Sequence, residues 1–541
     1  MVVVFATVLM FASLPVQAYQ ISPNPNPFNG YIEVALNAEN NTPFANFGSL
    51  FIDGDWDGKG GGTLTNSSTL ENYNWLWIES GSFGGGTLIN NWILINQRTN
   101  QLVSTLTNLG TLINDGIYLS NLGTLSNWGT LENKYGYLEN YGTLKNMLGT
   151  LNNLATLNNY DFATLNNGGG YNVELNNYGT LNNYGTLNNG GWLNNTSGGT
   201  LNIYSGLNNS RTLNNYGTLN IYSGTLLNAG TLNNYNFLNN SGTLTSPGTL
   251  NNYSNGTLTN AGTLNIYSDG TLTNAGTLNN AGTLRNYFRG TLTNSGTLTN
   301  SVYLDNSGTL NNTSGGTLNN SGTLYNSGTL RNYSGGTLDN QSKLYNFGTL
   351  RNDGILQGAG TYIQYYGQTI NNGTFSQTSI AINSGTLSGT GTITGNVTIG
   401  SGASVIPGNS PGTLTINGDF YSSGRLIFGI EGLGNGQYSI LNINGNANFT
   451  GGTVEYDFIN GFSPSAGDSW DCLLTNSITG WDTLSFTFDG LGAGLGWEFI
   501  YVPGVGEELV ITQNPVPEPT TMLLLGSGLL GLWGARKKFK K

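Results

Sequence analysis

Few side chains in this sequence have obvious chemical potential. Asp53-Gly54-Asp55-Trp56-Asp57-Gly58 sets three carboxylates on alternate residues and ends in glycine, as a calcium-binding loop begins. The bidentate glutamate expected at the twelfth position is missing, because Leu64 stands there. Asp53, Asp55 and Asp57 are therefore a candidate calcium site set against a plainer reading, a solvated acidic turn. Glu455 and Asp457 share one face of an expected strand, about 7 Å apart, a separation at which paired carboxylates cleave glycosidic bonds. The plain reading is again a solvent-facing pair. No histidine occurs in the chain, which removes Ser-His-Asp and Cys-His catalysis, histidine-ligated metals and imidazole switches together. The single cysteine, Cys472, has no internal disulfide partner and reads as a small buried hydrophobe.

Composition narrows the field further. The chain has 541 residues, room for two or three domains, yet only 8% are charged. Its net charge is −12, and without the tail after Pro519 only 11 cationic residues face 28 acidic ones. An acidic body with no basic patch argues against a nucleic-acid partner, since that binding runs on phosphate neutralisation.

Positioning must come from the repeat that fills the middle of the chain. From Leu64 to about Leu356 the unit G-T-L-x-N-x recurs, with leucines at 272, 278, 284, 292, 298, 304, 310 and 318 in one stretch. The spacings are six or eight, the eights arising where two residues are added, as in Asn312-Thr313-Ser314-Gly315-Gly316. Leucines six apart do not line one stripe of a helix, whereas in an extended segment Leu and Asn of L-x-N point the same way. Glycine, tolerant of positive φ, then allows a corner. Three units would close one triangular turn of a parallel β-solenoid. Burying one leucine does not offset the backbone entropy of ordering six residues, so a lone repeat should not fold and a stack should. The inward asparagines suit an amide ladder between turns, and asparagine also accepts the left-handed region at corners.

The expected fold is all-β, a long parallel solenoid with a C-terminal transmembrane helix. The eight-residue units favour a right-handed β-helix, and the six-residue period keeps a left-handed hexapeptide-type solenoid as the alternative. The expected divisions are 1–18, a signal peptide; 19–60, an N-terminal cap region; 61–357, the repeat; 358–513, looser strands and a cap; and 514–541, a sorting tail.

Past Gly358 the strict repeat stops. Pro407-Gly408-Asn409-Ser410-Pro411-Gly412-Thr413-Leu414, with the strands near 441–445 and 452–456, resembles the passenger regions of autotransporters and other surface β-helix proteins. That resemblance implies a surface β-helix and no particular activity. Trp470, Trp481, Phe486, Phe488, Trp497 and Phe499 read as a better-filled core that caps the open end, with a sugar-stacking platform as the alternative. Pectate-lyase-like enzymes also use the β-helix, with calcium-binding aspartates and a catalytic arginine. Here Arg285, Arg289, Arg331 and Arg351 lie in variable positions with no acidic cluster in the adjoining sequence.

The two ends carry addresses. Met1 to Ala18 is apolar, and Val16-Gln17-Ala18 is an acceptable signal-peptidase site, so cleavage after Ala18 would leave Tyr19 first. No Lys or Arg precedes the apolar run, so either the true start lies upstream of Met1, the favoured reading, or the signal is atypical. At the other end stand Pro517-Glu518-Pro519, an apolar run from Thr520 to Ala535, and the basic residues Arg536, Lys537, Lys538, Lys540 and Lys541. The run would be about 24 Å long as a helix, enough to span if the basic residues snorkel and stay cytoplasmic. This arrangement resembles the PEP-CTERM sorting signal of Gram-negative bacteria. The resemblance implies export, transient anchoring in the inner membrane, processing by an exosortase, and delivery to the cell surface, outer membrane or exopolysaccharide matrix.

The expected function is non-enzymatic: a structural or adhesive surface protein whose Thr/Asn/Tyr-lined faces meet polysaccharide or neighbouring rods, with no cofactor beyond the candidate calcium. A lyase-like enzyme is the alternative. Ice binding through outward T-x-T pairs such as Thr271 and Thr273 is the third reading, weakened by the many T-L-N and T-L-R units.

Overall fold

A computed structural model describes residues 105–168, 172–502 and 505–514 throughout, and shorter pieces within 5–102. The chain divides into two units, Met1–Leu344 and Tyr345–Lys541.

In the first unit the repeat forms four-residue strands, each paired in parallel with the third strand along. Thr277–Asn280 lies beside Thr297–Asn300, with Thr277 against Thr297, Leu278 against Leu298 and Asn280 against Asn300. Thirty-six strands, three to a turn, run from Thr105–Asn108 to Thr337–Asn340, which makes twelve turns. At about 4.8 Å per turn these rise roughly 58 Å. The parallel ladder is also present in the region read as an N-terminal cap, where Tyr31–Val34 pairs with Ser49–Ile52 and that strand with Trp75–Ile78.

Burial alternates along each strand as the sequence requires. In Thr277–Asn280 the leucine and asparagine are buried, and Thr277 and Asn279 are half-buried on the outer side. Leucines thus stack on leucines down the axis and asparagines on asparagines.

The asparagine column is the second element of the core. Asn260 Nδ2 donates to Asn280 Oδ1 at 2.7 Å and to the Thr283 carbonyl at 2.9 Å. Asn280 Nδ2 repeats this one turn on, to Asn300 Oδ1 at 2.8 Å and the Tyr303 carbonyl at 2.8 Å. Each amide therefore ties its own turn to the next side chain and to the next corner. The column breaks where an apolar residue replaces asparagine, at Ile203, Ile221 and Ile266. The acceptor facing such a break has no donor below it. Asn240 Oδ1 sits against Ile221 and Asn286 Oδ1 against Ile266, and both are buried without a hydrogen bond.

The corners differ from the expected picture. Where glycine precedes Thr-Leu it is needed mainly for room, because a Cβ on Gly282 would lie 2.2 Å from the Gly262 carbonyl oxygen and one on Gly328 2.0 Å from that of Gly308, although Ala155, Ala163 and Arg211 stand at the same point of other units. Positive φ belongs to the eight-residue corners, at Gly315 (φ 80°) and Gly335 (φ 78°), and at Asp269 and Arg289 (both φ 66°) where no glycine is supplied. The repeat asparagines are strand residues, and none of those described takes the left-handed region.

In the second unit strands lengthen. Thr374–Gly389 and Thr392–Pro407 run parallel over 16 residues each, with register shifts where they bend. The Pro407–Leu414 stretch folds back on itself: a Cβ at Gly408 (φ 78°) would meet Gly412 Cα at 2.3 Å. At the end the pairing changes sense, Ser469–Thr479 and Leu495–Val502 both running antiparallel to Gly506–Gln513.

The architecture is all-β, as expected. Among the described residues no helix is long and apolar enough to cross a membrane. The transmembrane helix expected over Thr520–Ala535 falls outside the described residues, as does all of the signal segment except Phe5–Ala6.

Replacing Asn280 with Ala removes three buried hydrogen bonds and should lower stability by about 2–4 kcal/mol in urea denaturation. Asn279→Ala, on the half-exposed outer position of the same strand, should change it by less than about 0.5 kcal/mol. Gly282→Ala, which drives a Cβ into the carbonyl beneath, should cost at least as much as Asn280→Ala.

Candidate functional site

The acidic pair lies on Thr453–Phe458, the middle of three parallel strands flanked by Arg425–Ile430 and Ser485–Asp489. Val454 and Tyr456 turn into the core, so the alternation puts Glu455 and Asp457 on the outer face. Register places Ile427, Glu455 and Thr487 side by side, and likewise Gly429, Asp457 and Asp489. The Arg425 guanidinium forms an ion pair with Glu455. Among the described residues Asp457 has no such partner. Partial burial, and then the neighbouring Asp489 charge, push its carboxyl above the usual carboxylate range, against a smaller downward pull from Arg425. One carboxylate is held by a cation and the other raised, a division of environments that acid–base chemistry can use. Here the pair lies on the outer face of a sheet, with Arg425 fixed on Glu455.

The arginines are dispersed. Arg289 pairs with Asp269 at 2.8 Å with both side chains exposed, Arg351 with Asp353 at 2.6 Å, and Arg285 lies beside Asp305 on the adjacent strand. Arg331 stands opposite Asn311. None joins an acidic cluster, and among the described residues no group of three His, Cys, Asp or Glu side chains could hold a metal ion. Asp53, Asp55 and Asp57 lie outside the described residues. Cys472 is free and buried, its thiol pushed up by burial, as the sequence led one to expect.

The aromatic residues near the C-terminal end divide into two groups. Trp470 is fully buried and donates through Nε1 to the Gly432 carbonyl at 2.9 Å. Trp481, Phe486, Phe488, Trp497 and Phe499 make a connected cluster, with Phe486 to Phe499 at 4.6 Å and Phe488 to Trp497 at 5.0 Å between centroids. Phe486 and Phe488 turn the same way as Val454 and Tyr456, toward the core, on a strand that no further parallel strand covers among the described residues. The rings therefore close this end, and Trp497 remains 40% exposed.

Two features escaped the sequence reading. Tyr141, Tyr160, Tyr184, Tyr204 and Tyr222 stack in series along one corner, with centroids 4.2, 6.2, 4.5 and 4.8 Å apart. A second amide ladder runs on the outer surface, for instance Asn182 to Asn158 at 2.9 Å and Asn202 to Asn182 at 2.8 Å. The signal was present: these tyrosines each directly follow the second inward residue of a repeat unit, once per turn.

Outside the described residues, the family profile of the PEP-CTERM protein-sorting motif matches residues 515–538. The chain carries a PEP-CTERM sorting motif. The matched stretch includes Pro517, Glu518 and Pro519 and ends within the basic cluster at Arg536, Lys537 and Lys538. The PEP-CTERM motif implies an exported, surface-directed protein sorted by exosortase, a membrane protease. Comparison with curated proteins gives no match.

The Asp457 carboxyl yields a pH test. Its folded pKa is raised, so its contribution to stability is present in acid and is lost as pH rises through that folded value. Asp457→Asn should therefore raise the melting temperature at pH 7 and change it little at pH 4.

Proposed function

We propose that this chain is a non-enzymatic scaffold of the cell surface or exopolysaccharide matrix, held briefly at the inner membrane by Thr520–Ala535 and released to its site by exosortase. The single observation that carries the proposal is the sorting motif at residues 515–538 at the end of a chain built from a stacked repeat. The address supports delivery, and the repeat supports reading the delivered object as a scaffold. Its buried polar groups are spent on holding turn to turn. What remains outside is threonine, asparagine and tyrosine in long columns, a surface suited to adhesion and to contact with exopolysaccharide. Right-handed winding belongs to the same proposal.

The competing readings have less support. A lyase would gather its cations beside an acidic cleft, whereas Arg285, Arg289 and Arg351 each stand next to one carboxylate. An ice-binding face would repeat T-x-T without interruption, whereas the outer columns mix threonine with asparagine, as at Thr277 and Asn279.

Fractionation of cells expressing the full chain or a form ending at Asn514 tests the proposal. The full chain should appear in the surface or matrix fraction, and the truncated form should be released to the periplasm or medium. Identical fractionation of the two forms would overturn it.

A further inference from the structure

One face of the first unit differs from the other two. It is built from every third strand, from Thr156–Asn159 through Thr218–Ile221 to Thr317–Asn320, nine strands in unbroken parallel register. Its outward positions hold threonine, asparagine and a single Phe237, and no charge on any of the nine strands. Over the same turns one neighbouring face carries Glu174 and Trp192 and the other carries Arg285 and Asp305.

Along the first five of these strands the outer asparagines form a ladder. Asn182, Asn202, Asn220 and Asn239 each donate one turn back, at 2.8–2.9 Å. The inner ladder donates the opposite way, Asn159 Nδ2 to Asn183 Oδ1 at 2.7 Å. Each interior rung of the outer ladder uses one N–H and one lone pair of its amide on its neighbours. The second N–H and second lone pair of each interior amide are not used within the ladder, and Asn182, Asn220 and Asn239 are half-buried at the surface, with Asn202 set deeper. The result is a comb of alternating donors and acceptors that is complementary to itself.

Tyrosines border this comb on both sides. The Tyr141–Tyr222 series lines one corner, and Tyr216, Tyr235 and Tyr253 stack along the other at 4.5 and 4.3 Å. Tyr216 and Tyr222 are 42% and 46% exposed. Because the rings lie on one another, they offer edges and hydroxyls rather than open faces. A sugar ring that needs an aromatic face to stack on is poorly served here, whereas hydroxyl-rich edges at a fixed axial repeat suit an identical array.

We infer that this face is a self-association surface, and that its partner is a second copy of this chain. Only a partner with the same axial repeat keeps amide opposite amide over many turns. The absence of charge removes the device by which exposed β surfaces are ordinarily kept apart. The area is sufficient: nine turns by one strand and its corners is about 43 by 20 Å, close to the roughly 800 Å² per partner of a stable interface. A two-fold arrangement would bring the face onto itself in antiparallel order. This deepens the scaffold reading and rests on it, yet association of purified chains can fail while sorting succeeds, so the two failures are distinguishable.

The test is sedimentation of the purified full chain in mild detergent, where association through the apolar tail is common to every variant. Asn202→Lys with Asn220→Lys places two charges on the face, and Asn194→Lys with Asn214→Lys places two on the adjacent outer ladder. Circular dichroism should show both variants folded as the parent. The expected result is that the first pair raises the concentration needed for dimers at least tenfold and the second leaves it unchanged. In parallel, Asn239→Cys should cross-link between copies with a short bis-maleimide, and Asn233→Cys on the adjacent face should not, against the low background of buried Cys472. A chain that is monomeric at all concentrations, equal effects of the two lysine pairs, or equal cross-linking at both cysteines overturns the proposal. So does a monomeric chain whose retention on exopolysaccharide is lost with Asn202→Lys and Asn220→Lys, which would assign the face to a glycan.

Discussion

The structure of the first unit depends on one interaction, the inward asparagine amide that bridges consecutive turns. A parallel ladder of four-residue strands has little to fix its register, because leucine on leucine tolerates sliding. The amide does not. Asn294 Nδ2 reaches Asn312 Oδ1 at 2.8 Å and the Thr317 carbonyl at 2.9 Å, and a shift of one residue would turn the side chain out and leave both acceptors bare. The corner glycine follows from the same closeness. Where the corner residue is glycine, turns held at this spacing put it on the carbonyl of the one beneath, as at Gly262 under Gly282, and a Cβ there would collide.

This interaction also accounts for the scarcity of chemistry. Polar side chains in the core are there to satisfy one another, and being buried they are out of reach of a substrate or a metal. Where the ladder is interrupted the molecule accepts a buried acceptor without a donor, as at Asn240 and Asn286. Such a group costs on the order of 1–3 kcal/mol. A long array spreads that cost over many turns, since its stability is a sum of neighbour terms. Ile203 and Ile221 stand in register, so two adjacent breaks leave one acceptor bare, Asn240 Oδ1, while Asn183 on the other side of the gap still donates to the Gly206 carbonyl.

Much of this was legible in the sequence, because the repeat is short and strict. The period of six with glycine, the shared face of leucine and asparagine, and the stack of turns all follow from alternation in an extended chain. What was not legible depends on distances between turns. Tyr160 and Tyr184 are 24 residues apart, and their stacking at 6.2 Å exists only once the number of residues per turn is known. The outer ladder was hidden for a like reason, since asparagine at a variable position of one unit looks like solvent-facing filler. The real job of the corner glycine was concealed too, because a residue chosen for lack of a Cβ and one chosen for positive φ are the same letter. At the acidic pair the spacing of Glu455 and Asp457 could be read from the strand alternation, but their neighbours could not. Arg425 and Asp489 arrive from strands about 30 residues to either side, and they decide which carboxylate is held and which is raised.

A parallel stack has an open edge at its end, and such an edge invites another strand. In the second unit that edge is closed in two ways. Gly506–Gln513 pairs antiparallel with Ser469–Thr479 and with Leu495–Val502, so the last parallel direction is consumed by a strand that cannot propagate it. Phe486, Phe488 and Phe499 pack together half-buried where a further turn of leucines would have been, with Trp497 exposed beside them. The sorting motif begins two residues after that closing strand ends. Pro515, Pro517 and Pro519 have no backbone N–H to give to a ladder, so the sequence that follows Gln513 is unsuited to extending the sheet. The stack thus ends on a strand of opposite sense, and the sequence that carries the address begins just beyond it.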